Sequence, residues 1–203
     1  MTWSDSMMPK ETKKVRIKSV ARDWVESILI AFVLAMFIRT FFFQAFKIPS
    51  GSMQETLQIG DRLLVNKLRY GPLVPFVHFR LPGFSKPRRG DVVVFKYPED
   101  PKRDFIKRLI AAGGETVEIK FGDIYINGQL IQSPVIKNIY YYNKGQYAQP
   151  GQKITVPSGY YFVLGDNSAS SHDSRYWGFV PEGDVIGKAE LIYWPPNRLR
   201  LIK

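Results

Sequence analysis

The chain has 203 residues, a formal net charge of +11 and no cysteine. The lack of cysteine excludes disulfide bonds, a thiol nucleophile and a thiolate metal site. The positive charge suits nucleic acid or anionic lipid headgroups, but no nucleic-acid recognition motif accompanies it, so we expect phospholipid and no nucleic acid among the partners.

An apolar, aromatic segment over residues 24–46 predicts a transmembrane anchor. It is unbroken from Ile28 to Ile38 and then resumes as a phenylalanine-rich run that ends at Phe46. As a helix, about 20 such residues cross a hydrocarbon core of about 30 Å. The first predicted element is therefore a single membrane-spanning helix.

Basic residues dominate the segment before the anchor, residues 1–23. By the positive-inside rule this segment stays in the cytoplasm, and residues 47–203 form an extracytoplasmic domain. The alternative is a cleavable signal peptide, with the small residues Ser50 and Ser52 at the cleavage site. The length of the phenylalanine-rich extension favours a retained anchor.

The domain after the anchor is predicted to be mainly β, an antiparallel catalytic domain with a small β insertion. Asn127-Gly128 separates two apolar runs and favours a type I′ hairpin. Two further stretches are expected as insertions, a Pro-rich loop over 71–90 and a tyrosine-rich insertion over 133–152. The remaining predicted strands are short runs of Val, Ile, Leu and aromatic residues between Gly, Pro or Asp: Asp61–Lys67, Asp91–Tyr97, Asp104–Ile110, Thr116–Lys120 and Tyr160–Leu164.

The chemistry is narrowed by what the sequence lacks. His78 and His172 are the only histidines, and no His-Glu-x-x-His occurs, which argues against a zinc protease. His172 lies in a polar stretch where a solvated loop histidine is the ordinary interpretation. Ser52 lacks the Gly-x-Ser-x-Gly elbow, and no Ser-x-x-Lys is present, so the common hydrolase patterns do not apply. We expect no metal and no cofactor.

A serine nucleophile needs a base, and a lysine serves if its amine is neutral. Free lysine has a pKa near 10.4, which desolvation lowers. Lys107 follows Phe105-Ile106 in a predicted strand, so apolar neighbours are available. Because most lysines in such strands point to solvent, a solvated side chain is the alternative, and these residues alone leave both open.

Four sequence blocks follow one another in a fixed order behind the anchor. The first is Ile48-Pro49-Ser50-Gly51-Ser52-Met53, and the other three are Arg89–Pro98, Phe105–Arg108, and Gly165-Asp166-Asn167 with Asp173–Gly178. In this order and spacing they resemble the type I signal peptidases. Those are membrane-bound serine endopeptidases with a serine-lysine dyad, which remove N-terminal signal peptides from exported preproteins after small-x-small motifs.

The resemblance implies a role for individual residues. Ser52 is the expected nucleophile and Lys107 the expected general base. The backbone N–H of Ser52 and the hydroxyl of Ser50 are expected to hold the oxyanion. Ser171 lies where the family has a serine that orients the lysine. The neighbouring Ser168 and Ser170 also lie in this block.

The resemblance also implies residues that bind substrate and residues that hold the site together. The substrate would lie as an extended strand between 46–50 and 104–106. Its pockets would be lined by apolar residues, namely Phe46, Ile48, Met53, Phe105 and Ile106. Structural roles, mostly in ion pairs, are expected for Arg108, Asp166, Asn167, Asp173 and Arg175.

The implied location is the cytoplasmic membrane of a bacterium, crossed once, with the catalytic domain outside. The implied partners are preprotein signal peptides, membrane phospholipids and a nearby secretion translocon. Two alternatives stay open from the sequence. One is a membrane-anchored β-domain that binds export factors without cleavage, and the other is a peptidase of the same family with narrow specificity.

Overall fold

A computed structural model describes residues 15–74 and 79–203 of the chain. Positions 1–14 of the predicted cytoplasmic segment 1–23 lie outside the described residues, and so do positions 75–78 of the predicted Pro-rich loop 71–90. In chain order the helices and strands are α1 (Val15–Phe41), β1 (Phe43–Lys47), β2 (Arg62–Asn66), β3 (Leu73–Val74), β4 (Phe79–Arg80), β5 (Val92–Tyr97), β6 (Asp100–Ala112), β7 (Thr116–Lys120), β8 (Asp123–Ile126), β9 (Gln129–Leu130), α2 (Pro134–Lys137), β10 (Lys153–Thr155), β11 (Tyr160–Leu164), α3 (Ser174–Trp177), β12 (Val180–Pro181), β13 (Val185–Trp194) and β14 (Arg200–Leu201).

Helix α1 contains the apolar segment. Residues Val20–Phe41 are long and apolar enough to cross a membrane. Its large apolar side chains are exposed, for example Phe32 at 62%. The predicted anchor 24–46 extends too far at its end, because the helix stops at Phe41 and Phe43–Lys47 is a strand. The phenylalanines after Phe41 alternate between exposed and half-buried positions, which is the two-residue period of a strand.

The prediction of a mainly antiparallel β domain is confirmed. The largest sheet has the order β1-β2-β13-β5-β6-β11-β12, with β14 beside β13. A second sheet has the order β10-β7-β8-β9, and β3 pairs with β4. The turn between β8 and β9 has positive φ at both Asn127 (51°) and Gly128 (80°), as a type I′ hairpin requires.

The insertion is built differently from the prediction. The second sheet is formed by strands that flank 133–152, namely β7 to β10, whereas 133–152 contains the short helix α2 and irregular chain. Tyr141 of this segment is buried in the core beneath the second sheet. The small β element is therefore present, but the tyrosine-rich stretch packs onto it instead of adding strands.

The core beneath the large sheet fixes the chain that follows β1. Ile48, Met53 and Leu57 are buried together with Leu63 of β2 and Val94 of β5. These three apolar residues therefore hold the loop between β1 and β2 against the sheet. Of the polar residues between them, Ser50, Gln54 and Glu55 are exposed, and Ser52 and Thr56 are half-buried.

Candidate active site

Ser52 lies in a single 3₁₀ turn, Gly51–Met53, in the loop between β1 and β2. Gln54 N donates to Gly51 O at 3.1 Å, and Leu57 N donates to Met53 O at 2.6 Å. Met53 is fully buried while Ser50 is exposed. The turn is thus anchored from below by one side chain and presents its serines to solvent.

Asn167 clamps this turn from the opposite side. Its main-chain N–H donates to Ser52 O at 3.0 Å, and its side-chain Nδ2 donates to Gly51 O at 2.9 Å. A Cβ on the neighbouring Gly165 would lie 2.5 Å from Ser52 O and 2.1 Å from Ser171 Oγ. The loop after β11 is therefore pressed against the backbone of Ser52, and only glycine fits at position 165.

Lys107 reaches Ser52 from strand β6. Its Nζ lies 2.6 Å from Ser52 Oγ, and the lysine side chain is buried. Burial lowers the pKa of Lys107 from 10.5 to about 8, although Asp173 and Asp166 oppose this and Arg175 supports it. Desolvation disfavours the charged amine. A substantial fraction of this lysine is consequently neutral near pH 8.

Arg108, the next residue of β6, points away from Lys107 and forms a buried ion pair. Its Nε and Nη2 donate to Asp166 Oδ1 and Oδ2 at 2.8 and 2.6 Å. Thr56 Oγ1 donates to the same carboxylate and accepts from Arg108 Nη2. A bidentate pair of this kind is strong and directional. It ties β6, the serine loop and the loop after β11 together next to the Ser52–Lys107 contact.

A second buried ion pair joins Asp173 and Arg175. Arg175 Nε and Nη2 donate to the two carboxylate oxygens of Asp173, both at 2.8 Å. Asp173 Oδ2 also accepts from Gly165 N, and Arg175 donates to Ser168 Oγ and Ser168 O. Both charges are completely buried, so the hydrogen bonds are needed to offset their desolvation. They fix the shape of the loop 165–175.

An open cleft of about 630 Å³ lies over Ser52 and Lys107. Its floor has an unusual backbone feature: β6 pairs with β11 only from Arg108 to Ala112. Of the described strands, none pairs with the opposite edge of Asp104–Lys107. Strand β1 is also terminal in its sheet. The residues that line the cleft are Pro49, Ser50, Gly51, Ser52, Gln54, Arg103, Asp104, Phe105, Ile106, Lys107, Asn167, Ser170 and His172.

The structure corrects some of the predicted substrate-binding residues. Phe105 and Ile106 line the cleft. Ile48 and Met53 do not, since they are 2% and 0% exposed and belong to the core. Phe46 packs against the same core. These three apolar residues support the serine loop, whereas the cleft surface is more polar than the sequence predicts.

Ser171 is buried next to the dyad, but its expected hydrogen bond to Lys107 is not formed. Its hydroxyl has no hydrogen-bond partner within the described part of the chain. The contacts at Gly165 place Ser171 Oγ beside the main chain of Ser52. Ser171 therefore lies near the dyad, as expected, but its hydroxyl makes no hydrogen bond to Lys107.

Several cleft residues were missed by the sequence predictions. Arg103 and Gln54 bring charge and polarity to the cleft, and the exposed His172 also lines it, with Nε2 3.3 Å from Tyr97 Oη. Asp104, which lies in the predicted substrate edge 104–106, lines the cleft as well. These residues come from β6, from the serine loop and from the loop after β11, and no local motif shows that the three segments meet. Among residues 15–74 and 79–203, no three His, Asp or Glu side chains group as metal ligands.

Comparisons with known proteins give one consistent family. The family model described as "Signal peptidase, peptidase S26" matches residues 21–194. A signal peptidase I of Pseudomonas aeruginosa is 31% identical, over 94% of this chain and 79% of the relative. The signal peptidase I of Leptolyngbya laminosa is 39% identical (87% and 81%), and that of Bacillus amyloliquefaciens is 34% identical (97% and 100%). A crystal structure of a signal peptidase I from Enterococcus faecalis V583 is 38% identical, with a TM-score of 0.42 over 51% of this chain and 97% of that one.

Proposed function

The chain belongs to the signal peptidase family, peptidase S26, and on this premise we propose that Ser52 and Lys107 cleave N-terminal signal peptides from exported preproteins. Membership of this family identifies the chain as a peptidase that acts in signal-peptide processing. The observation that carries the assignment of residues is the distance of 2.6 Å between Lys107 Nζ and Ser52 Oγ at the floor of the cleft.

The proposed chemistry uses the amine as both base and acid. Neutral Lys107 accepts the Ser52 hydroxyl proton as Oγ attacks the carbonyl carbon of the residue before the cut. The resulting ammonium then donates this proton to the leaving amine, which departs with the mature protein. Water attacks the acyl-enzyme by the same route and frees Ser52. The lowered pKa of Lys107 supports this role, because the amine is ready to accept a proton near neutral pH.

Two donors are proposed for the oxyanion. Ser52 N–H has no acceptor within the described part of the chain, and Ser50 Oγ makes no cap hydrogen bond to the turn. Both groups border the cleft. Donors held at the position where negative charge develops stabilise the transition state. Asn167 supports this arrangement, because it binds the carbonyls of the two peptide groups on either side of the Ser52 Cα, and the first of these groups contains the Ser52 N–H.

We propose that Ser171 orients Lys107 when substrate is bound. A buried hydroxyl without a partner is costly, which favours a turn about its Cα–Cβ bond toward the dyad. The structural ion pairs Arg108–Asp166 and Asp173–Arg175 would then act by keeping the loop 165–175 in place.

Substrate binding follows from the unpaired edges. Leu109 N donates to Asp91 O, and Leu109 O accepts from Gly90 N, so both main-chain groups of Leu109 point to the β5 side. Because main-chain groups alternate along a strand, Ile106 and Asp104 direct their N–H and C=O to the open edge. An extended signal-peptide end would pair there by strand addition. Phe105 and Ile106 would then limit the side chains near the cut to small ones.

The proposed setting is the cytoplasmic membrane of a bacterium, crossed once by α1. The N-terminal segment would lie in the cytoplasm and the peptidase domain outside, close to the secretion translocon and to anionic phospholipids. The bacterial sources of the relatives support this setting. Protease added to intact spheroplasts should degrade the domain and leave the N-terminus protected.

The test is cleavage of several unrelated preproteins by the detergent-solubilised chain, with sequencing of the new N-termini. We expect cuts after small-x-small motifs and no cut when either small residue is replaced by arginine. Failure to cut any preprotein, combined with binding, would favour the non-catalytic module. Cleavage of a single preprotein would favour the narrow-specificity peptidase.

A further inference from the structure

One face of strand β6 presents two cations on either side of an aromatic ring. Arg103 Cζ lies 5.3 Å from the Phe105 ring centroid, and Lys107 Nζ lies 5.5 Å from the same centroid. Residues at i, i+2 and i+4 of a strand share a face. Arg103, Phe105 and Lys107 therefore line the cleft in a row, of which the dyad lysine is one end.

The guanidinium of Arg103 is held in place without being neutralised. It lies 5.8 Å from the Tyr97 ring centroid, and Tyr97 stacks on Phe105 with a centroid distance of 4.3 Å. Aromatic faces attract and orient a guanidinium. Within residues 15–74 and 79–203 the guanidinium of Arg103 has no ion-pair or hydrogen-bond partner, and the adjacent Asp104 is paired with Lys96 at 2.6 Å.

The oriented guanidinium of Arg103 is preorganised to bind an anion. Its planar donors match a carboxylate, and the stacked rings reduce the freedom that would be lost on binding. It lines the cleft through which the proposed substrate passes. A carboxylate of the bound peptide is therefore the complementary group, and a lysine or arginine there would be repelled.

The position on the substrate follows from the distances to the shared ring. Arg103 Cζ and Lys107 Nζ are at most about 11 Å apart, since both distances run to one centroid. An extended peptide advances about 3.4 Å per residue, so this span covers at most about three residues and leads from the residue before the cut to the fourth. A long acidic side chain on the fifth residue can reach back over about one more position. We propose that Arg103 forms a specificity subsite for an acidic side chain four or five residues before the cut. This inference rests on the proposed function, because it takes its binding direction from it.

The test uses peptides that end in one small-x-small motif and differ only in Glu, Gln or Lys at the fourth or fifth position before the cut. Binding is measured with the Ser52→Ala chain in detergent, so that recognition is read without catalysis. We expect Glu to bind roughly three- to tenfold more tightly than Lys at one of the two positions. Arg103→Gln in the same background should abolish the difference.

Lys102→Gln is the matched control. It removes the same charge from the neighbouring exposed residue, which does not line the cleft. Retention of the Glu preference in Lys102→Gln and its loss in Arg103→Gln would support the subsite. Equal preference in both variants, or none in the Ser52→Ala chain alone, would overturn it. Cleavage by the unmodified chain is measured separately, so failed catalysis and failed recognition give different results.

Discussion

Lys107 Nζ lies 2.6 Å from Ser52 Oγ, although 55 positions separate the two residues in the chain. The contact is made because the serine loop leaves β1, which is terminal in the sheet, and meets β6 where β6 has lost its partner strand. The place where a nucleophile and an amine meet is thus also the place where an extended peptide can bind.

The rate of cleavage should rise with pH through about 8, where the pKa of Lys107 lies. Below that pH the amine is protonated and cannot accept the Ser52 proton. The profile of kcat/KM measured on one peptide from about pH 5 to 10 checks this expectation. Circular dichroism at each pH controls for unfolding. A rate that stays flat down to about pH 5 would contradict the role of Lys107.

Lys107→Met should stabilise the domain below pH 8. The pKa of Lys107 is about 8 in the folded domain and 10.5 for the free side chain. The unmodified chain is therefore most stable above pH 10.5, and its free energy of unfolding decreases as the pH falls from 10.5 to 8. Below 8 the full penalty of the buried charge remains, about 3 kcal/mol by linkage. Urea unfolding in detergent at about pH 6.5 and 10.5 measures it.

Lys102→Met is the control for this stability effect, because Lys102 is exposed on the same strand. Its unfolding free energy should change by less than about 0.5 kcal/mol at either pH. An unchanged or lower stability of Lys107→Met at the lower pH would show that the lysine is well solvated or stabilised by charge.

Asn167→Ala should lower kcat by about tenfold or more and change KM less. The reason is that the peptide group before Ser52 loses the hydrogen bond from Asn167 Nδ2 to Gly51 O. Asn143→Ala is matched to it, since Asn143 Nδ2 also donates to main-chain carbonyls, those of Ile119 and Ala148. Both variants should lose about 1 kcal/mol of stability. Equal effects on kcat in both would contradict a specific role for Asn167.

Gly165→Ala should nearly abolish cleavage. The added Cβ would press on Ser52 O and Ser171 Oγ, and the loop or the serine turn must move. Displacements of about 1 Å at a dyad cost roughly 100-fold in rate. Gly183→Ala, where nothing lies within 4 Å of the added Cβ, is the control and should keep normal activity. Rates within threefold for both variants would refute the tight packing inferred at Gly165.

The parts of the fold that depend on residues adjacent in the sequence could be predicted from it. Asn127-Gly128 encodes its own turn, and β7 and β11 begin and end where turn residues and apolar runs predict. The end of α1 was not predictable, because the residues 43–46 continue the apolar composition of the helix. They become a strand only through pairing with β2, for example Phe43 with Asn66.

The candidate site divides in the same way. Lys107 could be assigned to Ser52 only through resemblance, since nothing near Lys107 in the sequence shows that its amine is buried. Arg103 and the clamp by Asn167 could not be predicted, because both require the order of strands in the large sheet. Met53 was misassigned to a pocket because an apolar residue beside a serine looks the same whether it faces the cleft or the core.

The most direct test of the dyad is preprotein cleavage by Ser52→Ala compared with Ser170→Ala. Ser170 is an exposed serine that lines the same cleft, so the two substitutions remove the same group from one surface. The proposed mechanism predicts no processed product above background with Ser52→Ala and normal processing with Ser170→Ala. Processing by Ser52→Ala at the rate of the unmodified chain would show that another group is the nucleophile.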